Sequence, residues 1–354
     1  MVPHATPCHG RARDISCLAE RDISRVPSWP TPAAPARAAT RTERGMTQEL
    51  WTLTGPQAID LALVRRLDAT MIGGRIDVVA HDDPARTDAR VEVHSVSGRA
   101  LEVRLDGTTL RVGYGPFEAG WKGFLERFRT YTGKDSAEVH VAVPAGAQVE
   151  VATVQGEALV AGAREGVRLA TVSGAVMTSR TRGPLRVDTV SGEVAASEHD
   201  GPVRMETVSG GLTATGALRS LRLDSVSGSV TVDTRTTPDE ITVSAVSADV
   251  LVRLPDPDAM DYAVRCLSGR LVVDGEEQRG SARSFHRTAR HGAGAPVRVS
   301  AVSGDVTVLR GTAGAPSAPA DAPPVQDAAP DALAWGSPGA PAGRPAPASG
   351  PVDR

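Results

Sequence analysis

The chain has 354 residues, of which only 3% are aromatic, while glycine and proline number 36 and 26. This length exceeds what one hydrophobic core usually supports, and the scarcity of rings predicts small aliphatic interiors and many turns. The formal net charge of −3 lacks the basic excess that binds a phosphate backbone, so we expect no nucleic-acid partner.

The sequence predicts no cofactor and no metal site. Its three cysteines, Cys8, Cys17 and Cys266, are too scattered for a disulfide framework or a zinc site, and its eight histidines lack metal-ligand spacing. No segment reaches the roughly eighteen apolar residues of a membrane span, and residues 1–45 lack the apolar core of a signal peptide. We therefore expect a cytoplasmic protein, with the cell surface as the alternative.

The two ends of the chain differ in composition from its middle. Residues 1–45 show no hydrophobic period and predict a disordered extension, and Met46 is our hypothesis for the true start of translation. Residues 312–354 consist mainly of Ala, Pro, Gly and Asp and predict a disordered tail. The fold is expected within residues 46–311.

A repeat of eighteen residues fills the middle of the chain. Four copies read VRLATVSGAVMTS, LRVDTVSGEVAAS, VRMETVSGGLTAT and LRLDSVSGSVTVD. Looser copies surround Gly73, Ser97, Gln155, Ser247, Ser268 and Ser303, which gives ten candidate coils. Apolar and polar residues alternate within each copy, as in strands with one buried face.

Such coils cannot bury a face alone, so they must stack at a spacing of about 4.8 Å. The sequence therefore predicts an all-β fold, a single-chain parallel β-solenoid with coils of about eighteen residues. Its structural turns are expected at the Ser-Gly steps, because glycine adopts positive φ. They are Ser173, Gly174, Ser191, Gly192, Ser209, Gly210, Ser227, Gly228, Ser303 and Gly304. A serine repeated in nearly every coil indicates structure, so no catalytic residue is predicted.

Two apolar columns are predicted to be interior. The first contains Leu169, Val187, Met205, Leu223, Val243, Val264 and Val299. The second contains Val172, Val190, Val208, Val226, Val246, Leu267 and Val302. A charge in either column would lose its hydration without gaining a partner, so Val208→Asp is expected to cost about 3 kcal/mol or more.

An arginine column is predicted on the outer face. It contains Arg168, Arg186, Arg204 and Arg222, and Asp188, Glu206 and Asp224 follow two residues further along. We favour a self-neutralising solvated surface, because columns of opposite sign offset each other's repulsion. The alternative is a binding stripe for an acidic surface or polymer.

Two inserts interrupt the repeat. Residues 113–132 hold Phe117, Trp121, Phe124 and Phe128 at roughly helical spacing, which predicts a lid or cap, or else a surface that binds a partner or touches a membrane. Residues 274–296 are rich in arginine and predict a solvated loop, with a diverged coil or a basic docking loop as alternatives.

The serial T-V-S-G steps between L-R-V-D and E-V strands resemble the bacterial putative-adhesin family of β-strand-repeat domains, over about Met46 to Arg310. The resemblance implies a parallel β-solenoid without established catalytic residues. We therefore expect a non-catalytic scaffold that binds an unknown protein or polymer and could form a homo-oligomer. The alternatives are a self-assembling solenoid resembling the bactofilins and, less favoured, a glycan-acting enzyme, for which no cluster of acids is found.

Overall fold

The computed structural model describes residues 39–43, 46–83, 85–114, 134–278, 283–290 and 294–311. These residues form strands and one short 3-10 helix, Pro257–Ala259, which confirms the predicted all-β class. The strands are β1 Ala39–Glu43, β2 Met46–Leu53, β3 Gln57–Leu61, β4 Arg66–Met71, β5 Gly74–Ala80, β6 Ala89–Ser97, β7 Leu101–Asp106, β8 Thr109–Gly113, β9 Ser136–Val143, β10 Gln148–Thr153, β11 Glu157–Ala161, β12 Val167–Ser179, β13 Leu185–Thr234, β14 Glu240–Leu254, β15 Met260–Ser268, β16 Leu271–Val273, β17 Glu276–Gln278, β18 Arg283–Arg287, β19 Ala295–Ser303 and β20 Val306–Arg310.

Parallel pairing dominates the middle of the sheet. Strand β12 pairs in parallel with β10 on one side and β13 on the other, so that Val149, Val167 and Leu185 are neighbours at steps of eighteen residues. Strand β13 then pairs in parallel with β14, where Leu221 lies beside Ile241. Each level of this stack, one coil thick, is called a rung below. The repeat therefore places equivalent residues of successive copies in columns.

The N-terminal end of the sheet is mixed. Strands β4 and β5 are flanked in parallel by β10 and β11 on one side and by β8 and β9 on the other. Beyond them the pairing reverses, because β7 runs antiparallel to β8 and β6 runs antiparallel to β9. The candidate coil around Ser97, which β6 and β7 form, is thus not a parallel rung. The prediction of one parallel solenoid across residues 46–311 is not confirmed, since the sheet is mixed.

The C-terminal end changes both rung order and pairing direction. Strands β19 and β20, the last in the described chain, lie between β14 and the earlier strands β15 and β16. The far sides of β15 and β16 pair antiparallel with β18 and β17. Antiparallel strands therefore cover both ends of the parallel stack, and at the C-terminal end they come from the basic insert.

The first predicted apolar column is interior. Leu169, Val187 and Met205 are at most 1% exposed, as are Leu223, Val243, Val264 and Val299. Beside this column runs a buried polar one, formed by Thr153, Thr171, Thr189, Thr207 and Ser225. Four of its five hydroxyls have partners inside the sheet, as where Thr153 Oγ1 donates to Thr171 Oγ1 at 3.0 Å, whereas the Thr189 hydroxyl has none in the described part of the chain. The core is a set of parallel columns along the stack.

The Ser-Gly steps connect neighbouring rungs. The Ser191 hydroxyl donates to the carbonyl oxygen of Val172 at 3.3 Å, and Ser209 does the same to Val190 at 3.3 Å. Of the five predicted turn glycines, four have positive φ, from 121° at Gly304 to 144° at Gly174, whereas Gly192 does not. At all five positions a Cβ would collide with a carbonyl oxygen of the adjacent rung. Close approach of two backbones therefore requires glycine there.

Candidate functional site

The second predicted apolar column lies on the outer face, which contradicts the sequence prediction. Six of its seven members are between 36% and 59% exposed. Strand β13 contributes three successive rungs, so in stacking order the six are Val190, Val208, Val226, Val246, Val302 and Leu267. We call these six side chains the apolar stripe. The seventh member, Val172, is partly buried at the start of the column.

Alternation along each strand explains the correction. Met205 faces the core, and Val208 is three residues further along, an odd step that places it on the opposite face of an extended strand. The inward position is taken by Thr207, which is only 6% exposed. A smaller polar residue therefore occupies the core while a valine lies outside. The odd spacing between the two columns could have shown that they lie on opposite faces. This spacing decides which face a side chain occupies, even when the residue is apolar.

Five members of the apolar stripe, all except Leu267, form one wall of a surface groove of about 740 Å³. Its other wall is the neighbouring outward column, which begins with Asp188, Glu206 and Asp224 and continues with Ser244, Ser300 and Arg265. Between them lie Thr189, Thr207 and Ser225 of the buried polar column, followed by Ala245 and Ala301. The groove thus joins an aliphatic wall to a polar wall along several rungs.

The acidic part of the polar wall is neutralised within the chain. Arg186 contacts Asp188 at 3.1 Å in its own rung and Glu206 at 3.5 Å in the next, while Arg204 contacts Glu206 at 2.8 Å. Hydrogen bonding by the Arg204 guanidinium holds the pKa of Glu206 below its usual range. The four predicted arginines are 42% to 58% exposed, and Arg168 and Arg222 also pair with carboxylates. They form a network of surface ion pairs that leaves little free charge.

The opposite end of the polar wall carries no carboxylate. Ser244 and Ser300 occupy the positions that aspartate or glutamate holds in the earlier rungs, and the last position is Arg265. Arg298 in the outer column pairs with Glu240 at 2.9 Å. Arg265, by contrast, is exposed and has no carboxylate within 4.0 Å in the described part of the chain. The groove therefore runs from paired acids at one end to hydroxyls and a free cation at the other.

The four aromatic residues proposed for partner binding lie outside the described residues. They are Phe117, Trp121, Phe124 and Phe128. The chain on either side is described: Tyr114 is 3% exposed, and the Asp135 carboxylate accepts hydrogen bonds from the backbone nitrogen and Nε of Arg99 at 2.8 and 2.5 Å. The two ends of the segment are thus anchored in the sheet.

Two arginines of the basic insert, Arg287 and Arg290, pair with carboxylates of the same chain. The Arg290 guanidinium contacts Asp258 at 3.2 Å, and Arg287 contacts Asp274 at 3.8 Å and stacks over the Tyr262 ring at 4.8 Å from its centroid. Burial raises the pKa of Tyr262 to about 12. The insert supplies two antiparallel strands, β17 and β18, and ion pairs at the end of the stack, so it is not a further parallel coil.

Metal-binding groups do not cluster in the described part of the chain. No three His, Cys, Asp or Glu side chains there are arranged to hold a metal ion. His199 is 1% exposed, with Nδ1 2.9 Å from Thr181 Oγ1, and burial lowers its pKa. In the part of the chain that the structure describes, no helix is long and apolar enough to cross a membrane.

A family comparison matches most of the patterned region. Residues 75–309, more than half of the chain, match the family described as Toastrack DUF4097. The chain belongs to this family. Its function is unknown, in keeping with the predicted resemblance to bacterial adhesin-type domains of unknown function. No curated protein matches the Toastrack chain.

Three solved bacterial structures align with 72% of the Toastrack chain. A putative cell adhesion protein from Clostridium sporogenes is covered completely, with 8% identity and a TM-score of 0.25. A putative lipid binding protein from Parabacteroides distasonis is 97% covered, with 13% identity and a TM-score of 0.37. A putative adhesin from Bacteroides fragilis is 96% covered, with 12% identity and a TM-score of 0.36. At these values the three proteins establish no function for this chain.

Proposed function

We propose that this Toastrack protein is a non-catalytic β-solenoid scaffold that binds a macromolecular partner along its apolar stripe. The observation that carries the proposal is the row of six aliphatic side chains, each 36% to 59% exposed, on consecutive rungs. Single exposed aliphatic residues are normal on protein surfaces, whereas contiguous apolar patches mark interaction sites. Here the exposed residues are contiguous because the repeat aligns them.

The rigidity of the surface also supports a binding role. Inter-rung hydrogen bonds from Ser209 and Ser227, at 3.3 and 3.2 Å, fix the backbone directly beside the stripe. The glycines that follow allow adjacent backbones to approach closely. A surface held in place before binding loses less conformational entropy when a partner docks. The repeat therefore provides both the apolar contacts and their preorganisation.

End-to-end filament formation is the less favoured alternative. A bactofilin-like assembly would require a parallel rung to be open at each end of the stack. Here the outer sides of β15 and β16 are taken by the antiparallel strands β18 and β17, and β7 and β6 cover the other end. Short antiparallel edges protect a sheet against continuation by another chain. Lateral binding through the groove fits the geometry better.

The groove offers little support for glycan cleavage. Such chemistry usually needs two carboxyl groups with separate roles, one of which donates a proton. The groove's carboxylates, Asp188, Glu206 and Asp224, each pair with an arginine. Ion pairing favours the charged form of a carboxylate and disfavours an acid that must remain protonated.

A pull-down from the source bacterium tests the binding role. Wild-type protein, Val208→Asp and Leu63→Asp would be immobilised at equal density, and bound proteins would be quantified by mass spectrometry. Leu63 is a matched control, because it is an aliphatic side chain 40% exposed but lies outside the groove. We expect one or more proteins that Val208→Asp loses and Leu63→Asp retains. Equal capture by all three proteins would contradict the proposal.

The location of the protein determines which partners it can meet. Protease shaving of intact cells, beside a lysed control, would release peptides from residues 167–310 only if these are exposed outside the cell. Peptides from intact cells would assign the groove to a surface role. Release only after lysis would place the proposed partner inside the cell, and the most N-terminal peptide would test the start at Met46.

A further inference from the structure

We propose that a second copy of this chain docks on the apolar stripe in antiparallel orientation, about a two-fold axis between Val226 and Val246. The inference rests on the proposed binding role of the stripe and names its partner. In such an isologous interface the same surface serves both partners, so it must be complementary to itself. The groove meets this requirement in one orientation.

The apolar stripe spans six rungs, which at about 4.8 Å per rung gives a length on the order of 24 Å. A two-fold axis that crosses the stripe at its centre reverses its direction in the partner. Val190 then lies opposite the partner copy's Leu267 position, Val208 opposite Val302, and Val226 opposite Val246. Every side chain of the apolar stripe therefore gains an aliphatic neighbour.

The polar wall is complementary under the same operation. The axis brings the acidic half of one copy, Asp188, Glu206 and Asp224, against the half of the other that lacks carboxylates. Arg265 then lies opposite the Asp188–Arg186 ion pair, in which the Asp188 side chain is 12% exposed, and Glu206 and Asp224 face the hydroxyls of Ser300 and Ser244. Because the operation is symmetric, this set of contacts forms twice. Arg265 thereby acquires a carboxylate partner that it lacks within the described part of its own chain.

The other orientation is less complementary. If the stripes ran parallel, the acids would face the column beyond the stripe, which contains Gly192, Gly210 and Gly228 and offers no side-chain donor. Antiparallel docking also brings like charges together, since Arg204 of each copy lies opposite Arg298 of the other. Both lie in the outer column, and each already contacts a carboxylate, at 2.8 and 2.9 Å. The balance of charges therefore favours the antiparallel arrangement.

The size of the surface sets the expected affinity. The arginine column and the apolar stripe are four residues apart along each strand, which is about 13 Å. This width, multiplied by the length of the stripe, gives a contact on the order of 300 Å² on each copy. Stable dimers usually bury about 800 Å² per partner. We therefore expect a weak, concentration-dependent dimer with a dissociation constant in roughly the micromolar to millimolar range.

Sedimentation equilibrium of the full chain tests the pairing, over about 10 µM to 1 mM to match the weak affinity. Wild type and Leu63→Asp should reach the same dimer fraction. Val208→Asp should raise the dissociation constant at least about tenfold, and Arg265→Glu should raise it by about the same factor. A monomer across the whole range, or equal dimerisation by all four proteins, overturns the proposal.

Cysteine cross-linking tests the orientation. Cys8 and Cys17 would be replaced by serine in every sample, while Cys266 is buried and can remain. A mixture of Val190→Cys and Leu267→Cys proteins should give a disulfide-linked heterodimer. Val190→Cys alone should not cross-link, because antiparallel docking separates its two copies by about the length of the stripe. Cross-linking of Val190→Cys alone at the same rate overturns the antiparallel arrangement.

The two proposals fail in different ways. A protein that remains monomeric but loses a captured partner through Val208→Asp would refute the dimer and preserve the binding role. A monomer that captures nothing through the stripe would refute both.

Discussion

Met205 and Val208 lie three residues apart on β13 and face opposite sides of the sheet, with exposed fractions of 0% and 50%. The first packs in the core, and the second projects into the groove. Both are large and apolar, so residue type alone does not distinguish their roles. Their substitution by a charge should do so.

Met205→Asp should destabilise the protein by about 3 kcal/mol or more, because its carboxylate would be desolvated without a partner. Val208→Asp should cost only about 1 kcal/mol or less, since the side chain remains in water and loses mainly strand propensity. Urea denaturation of both variants at low protein concentration would measure the difference. Equal losses of stability would show that the stripe is interior after all.

Gly210→Ala should cost about 2 kcal/mol or more. Gly210 has φ of 131°, and a Cβ there would collide with the carbonyl oxygen of Gly192 in the adjacent rung. The next residue is a matched control, because the nearest atom to a Cβ on Gly211 is Ser229 Oγ at 3.6 Å. Gly211→Ala should be neutral or slightly stabilising. Melting temperatures that fall equally in both variants would refute the close-approach explanation.

His199 should make folding stability fall as the pH drops below about 6.5. Its imidazole is 1% exposed, and burial lowers its pKa in the folded state. The unfolded chain binds a proton near the ordinary histidine pKa while the folded chain does not, so acidification favours unfolding. The slope contributed by one such group approaches about 1.4 kcal/mol per pH unit.

Denaturation at several pH values would compare wild type with His199→Gln and His94→Gln. The His199 variant should show a shallower loss of stability between about pH 6.5 and 5. Part of the loss should remain, because burial also lowers the pKa of His140. His94 is exposed and serves as the control. An unchanged slope in His199→Gln would rule out this residue as a source of the pH dependence.

Asp135→Ala should destabilise the protein by about 2 kcal/mol. The carboxylate is buried, with a side chain 6% exposed, and it accepts two hydrogen bonds from Arg99. Asp88→Ala removes a comparable contact with Arg86, but there the side chains are 43% and 50% exposed. That variant should lose less than about 1 kcal/mol, because solvent screens exposed pairs. Thermal unfolding of the two proteins would test the ranking.

Sequence periodicity predicted the regular part of the fold and failed where regularity ends. The eighteen-residue spacing correctly placed Leu169 beside Val187 and Arg168 beside Arg186. It could not show that β6 and β7, around Ser97, run antiparallel to their neighbours. Whether two strands pair in parallel or antiparallel depends on the connection between them. The alternation of apolar and polar residues along a strand is the same in both cases.

The eighteen-residue repeat was predicted correctly, but the second apolar column was assigned to the interior, so the candidate site was not predicted. Each T-V-S-G step offers a threonine and a valine, and the prediction gave the interior to the more apolar one. In the structure Thr207 is buried and Val208 exposed, because the core face is set by Met205 two residues before Thr207. Ser244, Ser300 and Arg265 were visible in the sequence as departures from the acidic column. Their position at one end of the polar wall depends on the order of the rungs, which only the pairing of the strands in the structure shows.

That rung order has a consequence for how the protein is made. The level formed by β19 and β20 comes from the last described residues, yet it lies between β14 and the level of β15 and β16. A ribosome therefore releases the outer level before the inner one on which it must rest. Until residues 295–310 emerge, β15 and β16 lack their only parallel neighbours in the described sheet. The stack cannot be completed in the order of synthesis, and a chain truncated before Ala295 would lose two levels instead of one.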